Sequence, residues 1–209
     1  MLKPILSLAL FASLLSAPLI AAEPESGFVS IFDGKTLKGW EGNEKMFRVA
    51  EGAIIAGTLK EKIPRNEFLC TTKEYQNFEL RLQVKLVPAT GNAGIQFRTK
   101  RIPNHHEVSG YQADVGQGWW GKLYDESRRN KVLAGDDKAL GDKLKKEDWN
   151  DYVIRAEGNR IQLWVNGVPT VDYTEKEENI ATGGIIAVQI HGGEAAEASY
   201  RNLRIQELK

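Results

Sequence analysis

Cysteine is almost missing from this chain, with Cys70 alone among 209 residues. No internal disulfide can form, so the fold must be held by a hydrophobic core. An excess of one charge is missing too: 28 Lys and Arg stand against 28 Asp and Glu, with 3 His. Without a basic surplus the chain has no electrostatic footprint for nucleic acid or for an anionic membrane surface. No long apolar pattern of helical period occurs, and no HExxH, EF-hand loop, P-loop or GxSxG elbow is present. Those absences remove the most easily recognised metallopeptidase, nucleotide-binding and α/β-hydrolase chemistries.

The first 22 residues read as a segment apart. Met1-Leu2-Lys3 is a short basic start, Ile5 to Ile20 is mostly apolar, and Ala21-Ala22 offers small residues for cleavage. This is the pattern of a secretory signal peptide. The apolar run is short for a membrane span and is broken by Ser13, Ser16 and Pro18. The expectation is an exported protein, periplasmic or secreted, with no membrane association after leader removal and one domain over 23–209. Loss of Lys3 leaves 27 basic side chains against 28 acidic ones, so the neutral balance persists.

Alternation with period two dominates what remains. In Phe78–Val87 the residues Phe78, Leu80, Leu82, Val84 and Leu86 face one way and Glu79, Arg81, Gln83 and Lys85 the other. Further strands are expected at Phe28–Phe32, Phe47–Gly57, Glu67–Thr72, Trp149–Ala156, Ile161–Val165, Gly183–His191 and Ala198–Leu208. Glu157-Gly-Asn-Arg160 and Asn166-Gly167 are hairpin-turn signals, since Gly and Asn accept positive φ. Lys131–Asp148 reads as an exposed loop with at most one helical turn. Many short strands joined by turns predict an all-β antiparallel sandwich or jelly roll.

The richest segment is His105–Arg129, which holds two of the three histidines and two of the five tryptophans. Buried polar groups cost free energy unless paired, so a core does not call for this mixture. Aromatic faces set among acids and amides suit a sugar-sized ligand. Alternation sorts the polar groups by face: Gln96 with Arg98, Gln112 with Asp114, Lys122 with Tyr124, Gln189 with His191. If these strands are neighbours, the groups converge on one surface, with Tyr111 beside them and Trp119 and Trp120 in the connecting loop. A solvated sheet face would explain the Lys/Glu alternation of 79–85, but is a weaker account of Gln, Tyr and His. His105, His106 and Glu107 could join Asp114 in a metal site, although adjacent residues of an extended chain point apart. Cys70 reads as a buried thiol.

Several landmarks occur in a familiar order: Gly27–Trp40, Asn77–Leu80, Gly91-Asn-Ala-Gly-Ile-Gln-Phe-Arg98, Gly110-Tyr-Gln-Ala-Asp114, Gly121–Tyr124, Trp149-Asn150, Asn166-Gly167, Gln189-Ile-His191 and Tyr200–Leu203. Together they resemble the 3-keto-disaccharide hydrolase family, also called the DUF1080 domain. The resemblance implies a concanavalin-like jelly roll, export, and action on sugars oxidised at C3. Arg98, Gln112, Asp114 and His191 are the positions that carry over from it.

For such a substrate the ketone acidifies the C2 hydrogen. A base removes it, the enolate expels the C1 substituent, and water can add to the enone. One base, one enolate stabiliser and one acid are needed, rather than the paired carboxylates of ordinary glycosidases. The expected roles are Asp114 or His191 as base, Arg98 on the enolate oxygen, and Tyr124 or Glu107 assisting the leaving group. Gln96, Tyr111, Gln112, Lys122 and Gln189 would bind the sugar, with Trp119 and Trp120 as its platform. No cofactor is certain; a divalent metal beside Arg98 is the one addition left open, and the oligomeric state is not legible. A non-catalytic carbohydrate-binding module is the alternative, because the same fold serves lectins. A conventional glycosidase fits less well, since no strand carries closely spaced acids.

Overall fold

The structure, a computed structural model, describes residues 26–209. The expected leader lies outside the described residues. Fifteen strands build two antiparallel sheets. The first sheet runs β13 (Val168–Thr174), β12 (Arg160–Val165), β11 (Asn150–Glu157), β6 (Phe78–Val87), β15 (Ala196–Glu207), β4 (Ala53–Thr58) and β3 (Phe47–Ala50), with the short β1 (Val29–Ser30) also paired to β15. The second runs β10 (Lys131–Ala134), β9 (Leu123–Glu126), β8 (Val108–Gly116), β7 (Asn92–Arg101), β14 (Gly184–Ile190), β5 (Glu67–Tyr75) and β2 (Trp40–Glu41). The chain is a β-sandwich.

The alternation explains why the sheets stack. Phe78, Leu80, Leu82, Val84 and Leu86 of β6 are all buried, as are Ile95, Phe97, Tyr111, Ala113 and Val115 of the facing sheet. Phe97 stacks on Tyr111 with ring centres 5.6 Å apart, and Phe78 meets Phe97 edge-on at 6.4 Å. Each large side chain so buried contributes roughly 1.5–3 kcal/mol, which is how the fold manages without disulfides. Both hairpin signals hold: Glu157 pairs with Arg160 across Gly158 (φ 53), and Asn166 and Gly167 have φ 49 and 78.

Two regions differ from expectation. Phe47–Gly57 is a hairpin, because Glu51 and Gly52 take positive φ (51 and 73) and turn the chain. Lys131–Asp148 contains a short edge strand, β10, and a 3-10 segment at Asp137–Lys143 capped by the Asp136 side chain. Leu140 pins that segment to the sandwich, since it is buried in the core cluster. Among the described residues no helix is long and apolar enough to cross a membrane.

Candidate active site

The outer face of the second sheet carries the polar groups. Pairing puts Gln112 between Tyr124 of β9 and Gln96 of β7, and puts Gly94 between Asp114 of β8 and Gln189 of β14. Odd-numbered β8 neighbours face the core, and even-numbered ones face outward. Asn92, Gln112, Asp114, Trp119, Tyr124, Glu126 and His191 line one cleft of about 250 Å³. Five of these seven were expected from the sequence.

A directed chain of hydrogen bonds runs beneath that cleft. The Thr99 hydroxyl donates to Gln96 Oε1 (3.1 Å), Gln96 Nε2 to Gln112 Oε1 (2.5 Å), and Gln112 Nε2 to Asp114 Oδ1 (2.5 Å). Every donor points toward the carboxylate. Gly94 makes room for this, because a Cβ there would sit 2.5 Å from Gln112 Cδ. Asp114 is buried, and its Oδ2 has no hydrogen-bond partner. One oxygen is therefore held and the other is left for a ligand, an arrangement that a merely structural carboxylate has no reason to keep.

Burial pushes the Asp114 carboxyl up to about 8; the Gln112 hydrogen bond opposes this, the Glu126 charge adds to it, and Lys122 opposes it. Glu126 and Asn92 are the two cleft residues the sequence reading missed. Burial, then the Glu107 charge, lifts Glu126 to about 7, against hydrogen bonds from Gln189 and the Ser127 backbone. Gln189 Nε2 reaches Glu126 Oε2 at 3.4 Å, and Gln189 Oε1 is buried without a partner. Burial, with the Glu126 and Asp114 charges behind it, also raises the Tyr124 phenol, which stays a hydrogen-bond donor at neutral pH. Trp119 meets Tyr124 edge-on at 6.1 Å and is 37% exposed, with the Lys122 ammonium 5.5 Å from its ring centre.

Four expected site residues lie elsewhere. Arg98 takes φ 48 in a bulge that shifts the β7–β8 pairing between Phe97 and Lys100. Its guanidinium turns away from the Gln96 face and donates to the Gln76 carbonyl (3.1 Å), the Gly158 carbonyl (2.7 Å) and Asn77 Oδ1 (3.2 Å), clasping the β5–β6 connection and the β11–β12 turn. It is not in the Asp114 cleft and cannot hold an enolate there. Tyr111 faces the core by strand parity and donates to Glu175 Oε2 at 2.6 Å, so it does not line the Asp114 cleft. Trp120 is buried and lines a different cavity from its neighbour Trp119, so the two do not form one platform. Glu107 lines the adjoining crevice with Phe68 and His106 and takes the Ser127 hydroxyl at 3.3 Å; it reaches the cleft only through its charge on Glu126.

His105 and His106 stack on each other with ring centres 4.5 Å apart, and His106 Nδ1 engages the Asn66 carbonyl. Among the described residues no three His, Cys, Asp or Glu side chains form a set that could hold a metal ion. Asp114, Glu126 and His191 all line the cleft but do not gather into one ligand set, so the residues present do not fit a resident metal. Cys70 is buried, and burial raises its thiol to about 11.

The profile of the 3-keto-alpha-glucoside-1,2-lyase-like domain matches residues 27–206. No curated protein matches the chain. Among solved structures, a candidate glycosyl hydrolase from Parabacteroides distasonis superposes with TM-score 0.65 at 17% identity, over 88% of this chain and 94% of that one. A carbohydrate-binding module from Bacillus subtilis gives TM-score 0.59 at 11% identity, over 81% and 96%. A Bacillus subtilis protein of unknown function with a galectin-like fold gives 0.61 at 12%, over 82% and 90%. At these identities the likeness is one of fold.

Proposed function

We propose, from the premise that this chain belongs to the 3-keto-alpha-glucoside-1,2-lyase-like domain family, that it cleaves 3-keto glycosides in the Asp114 cleft by β-elimination. The observation that carries the reading is Asp114 itself: a carboxylate on the cleft wall with one oxygen held by the amide chain and the other buried without a partner. Such a group is shaped to take a proton from carbon.

Asp114 Oδ2 removes the C2 proton, and the electron pair moves onto the C3 oxygen. The Tyr124 hydroxyl and the Asn92 amide, both on the cleft wall, donate to that oxygen and replace Arg98 in the role the sequence suggested. The enolate then collapses, the C1=C2 double bond forms, and the C1–O bond breaks. Glu126, with its carboxyl lifted to about 7, gives its proton to the departing oxygen. Water adds at C1 by the reverse proton traffic, with Glu126 taking a proton from water and Asp114 returning one to C2. The products are an enone and an alcohol, or a 3-keto sugar and an alcohol after hydration. Trp119 lies under the sugar ring, where C–H faces stack on indole, and His191 stands at the rim.

The test is to incubate the protein, freed of its leader, with 3-keto-trehalose and 3-keto-lactose, with and without EDTA, and to follow released sugar by chromatography. Release of glucose with an enone or a 3-keto sugar supports the reading. Turnover that vanishes with EDTA would put a metal where Tyr124 and Asn92 are assigned. Saturable binding without turnover would favour the second reading, a carbohydrate-binding module, for which the Bacillus subtilis module of similar fold is the specific observation. Export is part of the proposal: N-terminal sequencing of periplasmic or secreted protein should begin at Glu23.

A further inference from the structure

A cavity larger than the cleft lies beside it. It measures about 600 Å³ and lies at the end of the sandwich, between the β6–β7 connection and the 3-10 segment Asp137–Lys143. That volume falls in the range of small-organic-ligand pockets, roughly 300–1,000 Å³. Its floor is apolar: Leu86, Trp120, Leu140 and Leu144, with Ala89 at the edge. Both acids of the rim are already engaged, Asp137 with Lys122 at 3.8 Å and Glu147 with the Ala89 N–H at 3.0 Å. Thr90, Gln117, Lys138 and Lys146 supply the other polar groups of the lining, so what sets this cavity apart from the cleft is its four-residue apolar floor.

The cavity is linked to the cleft on two sides. Thr90 lines both the cavity and a small groove of about 180 Å³, and Asn92 and His191 line both that groove and the cleft. Gly91 lies between them, where a Cβ would sit 3.1 Å from Ala196 Cβ and 3.2 Å from Leu86 Cδ1. On the other side, Gln117 and Gly118 line the cavity and Trp119 the cleft, with Trp120 returning to the cavity. Lys122 spans the partition, placed over the Trp119 ring and against Asp137.

We propose that this cavity is the aglycone subsite, and that the preferred substrate is a 3-keto glycoside of an apolar, aryl-sized alcohol rather than a disaccharide. The inference rests on the proposed cleavage in the Asp114 cleft. The sugar ring lies on Trp119 in the cleft, and the group leaving C1 passes Asn92 and Thr90 into the apolar cavity.

Two measurements test it and separate its failure from that of the cleavage reading. In the first, 4-nitrophenol alone is titrated calorimetrically into the protein. A Kd of about 0.1–1 mM is expected for so small a ligand, and Ala89→Trp, which fills the cavity mouth, should abolish binding while retaining the circular dichroism of the sandwich. In the second, kcat/KM is compared for 4-nitrophenyl 3-keto-α-glucoside and 3-keto-trehalose. The ratio between the two substrates should fall at least tenfold in Ala89→Trp and about threefold in Leu140→Ala, a comparison that cancels the intrinsic reactivity of nitrophenol. Phenol binding that survives Ala89→Trp, or a ratio unchanged in both variants, overturns the subsite. Lost phenol binding in Ala89→Trp with no turnover of either substrate by the wild type keeps the apolar binding site and overturns the cleavage, and with it the aglycone role.

Discussion

Residues 114 and 125 are both buried aspartates of adjacent strands in one sheet, and their surroundings are opposite. Asp125, fully buried, takes Arg128 Nε at 2.8 and 3.1 Å and Arg129 besides. Arg129 continues to Glu175 Oε2 at 2.7 Å, and Tyr111 donates to the same oxygen. There, against the upward pull of burial, hydrogen bonds from Arg129 and Tyr111 hold the Glu175 carboxyl down to about 2. Asp114 has no cation on it. It has one amide hydrogen bond, an unpartnered oxygen, and Glu126 nearby as a second raised carboxyl. The fold can pair a buried carboxylate when pairing serves stability. Leaving one unpaired costs free energy, and the cost falls on the face with an open cleft. Asp125 and Glu126 are chain neighbours, so strand parity alone divides the two regimes.

The contrast can be broken from either side. Asp114→Asn should lower kcat on a 3-keto glycoside by about 10³-fold or more, since the base is lost, while the amide keeps the Gln112 hydrogen bond. It should also stabilise the fold. With its carboxyl raised to about 8 from an ordinary value near 3.8, wild type is most stable where Asp114 is protonated and loses stability as pH climbs from about 4 through 8. The variant lacks that loss, so thermal melts should show a gain growing with pH to about 2–5 kcal/mol. A destabilised Asn variant at pH 8 would contradict the geometry.

Arg129→Met tests the paired side. It leaves Asp125 and Glu175 short of a cation and should cost about 3–5 kcal/mol, read as a drop of roughly 6–20 °C in Tm. The kcat of the surviving folded protein should change less than threefold. A large kcat loss at full stability would move this network into the chemistry.

Glu126→Gln is expected to cost about 10–10²-fold in kcat and to change the shape of the pH profile. With a base raised to about 8 and an acid near 7, wild type should give a bell whose rising limb belongs to deprotonation of the base and whose falling limb to loss of the acid's proton. The apparent values belong to the coupled pair. The variant should lose the falling limb, and a retained bell would assign the acid to another group. The smallest effect is expected from Gly94→Ala: its Cβ displaces Gln112, Asp114 loses the hydrogen bond that favours its charged form, and the rising limb moves to higher pH with about a tenfold lower kcat near neutrality.

Most of the sandwich was legible because its signal is local: period two names the strand, and Gly or Asn at a hairpin names the turn. The same rule paired Gln112 with Asp114 and Lys122 with Tyr124, and continued by one step it reaches Glu126. Tyr111 could have been set aside by the same parity, since it stands between Gly110 and Gln112. Trp120 could not, because Trp119 and Trp120 lie in a turn between Gly116 and Gly121 where no period applies. Arg98 was beyond reach for another reason. A left-handed residue inside a strand is a tertiary choice, fixed by the two turns its guanidinium clasps, and those acceptors are 21 to 60 residues distant.

That bulge has a consequence of its own. It is a phase slip in β7: residues up to Gln96 beat with the cleft, and the half beyond beats with the clasp on the opposite sheet. One strand thus serves two masters, and the only side-chain link described between its halves is the Thr99 hydroxyl donating back to Gln96. Deleting a single residue at the slip would bring the two halves back into step. The guanidinium would swing toward the amide chain, and the clasp and the cleft would be lost or remade together.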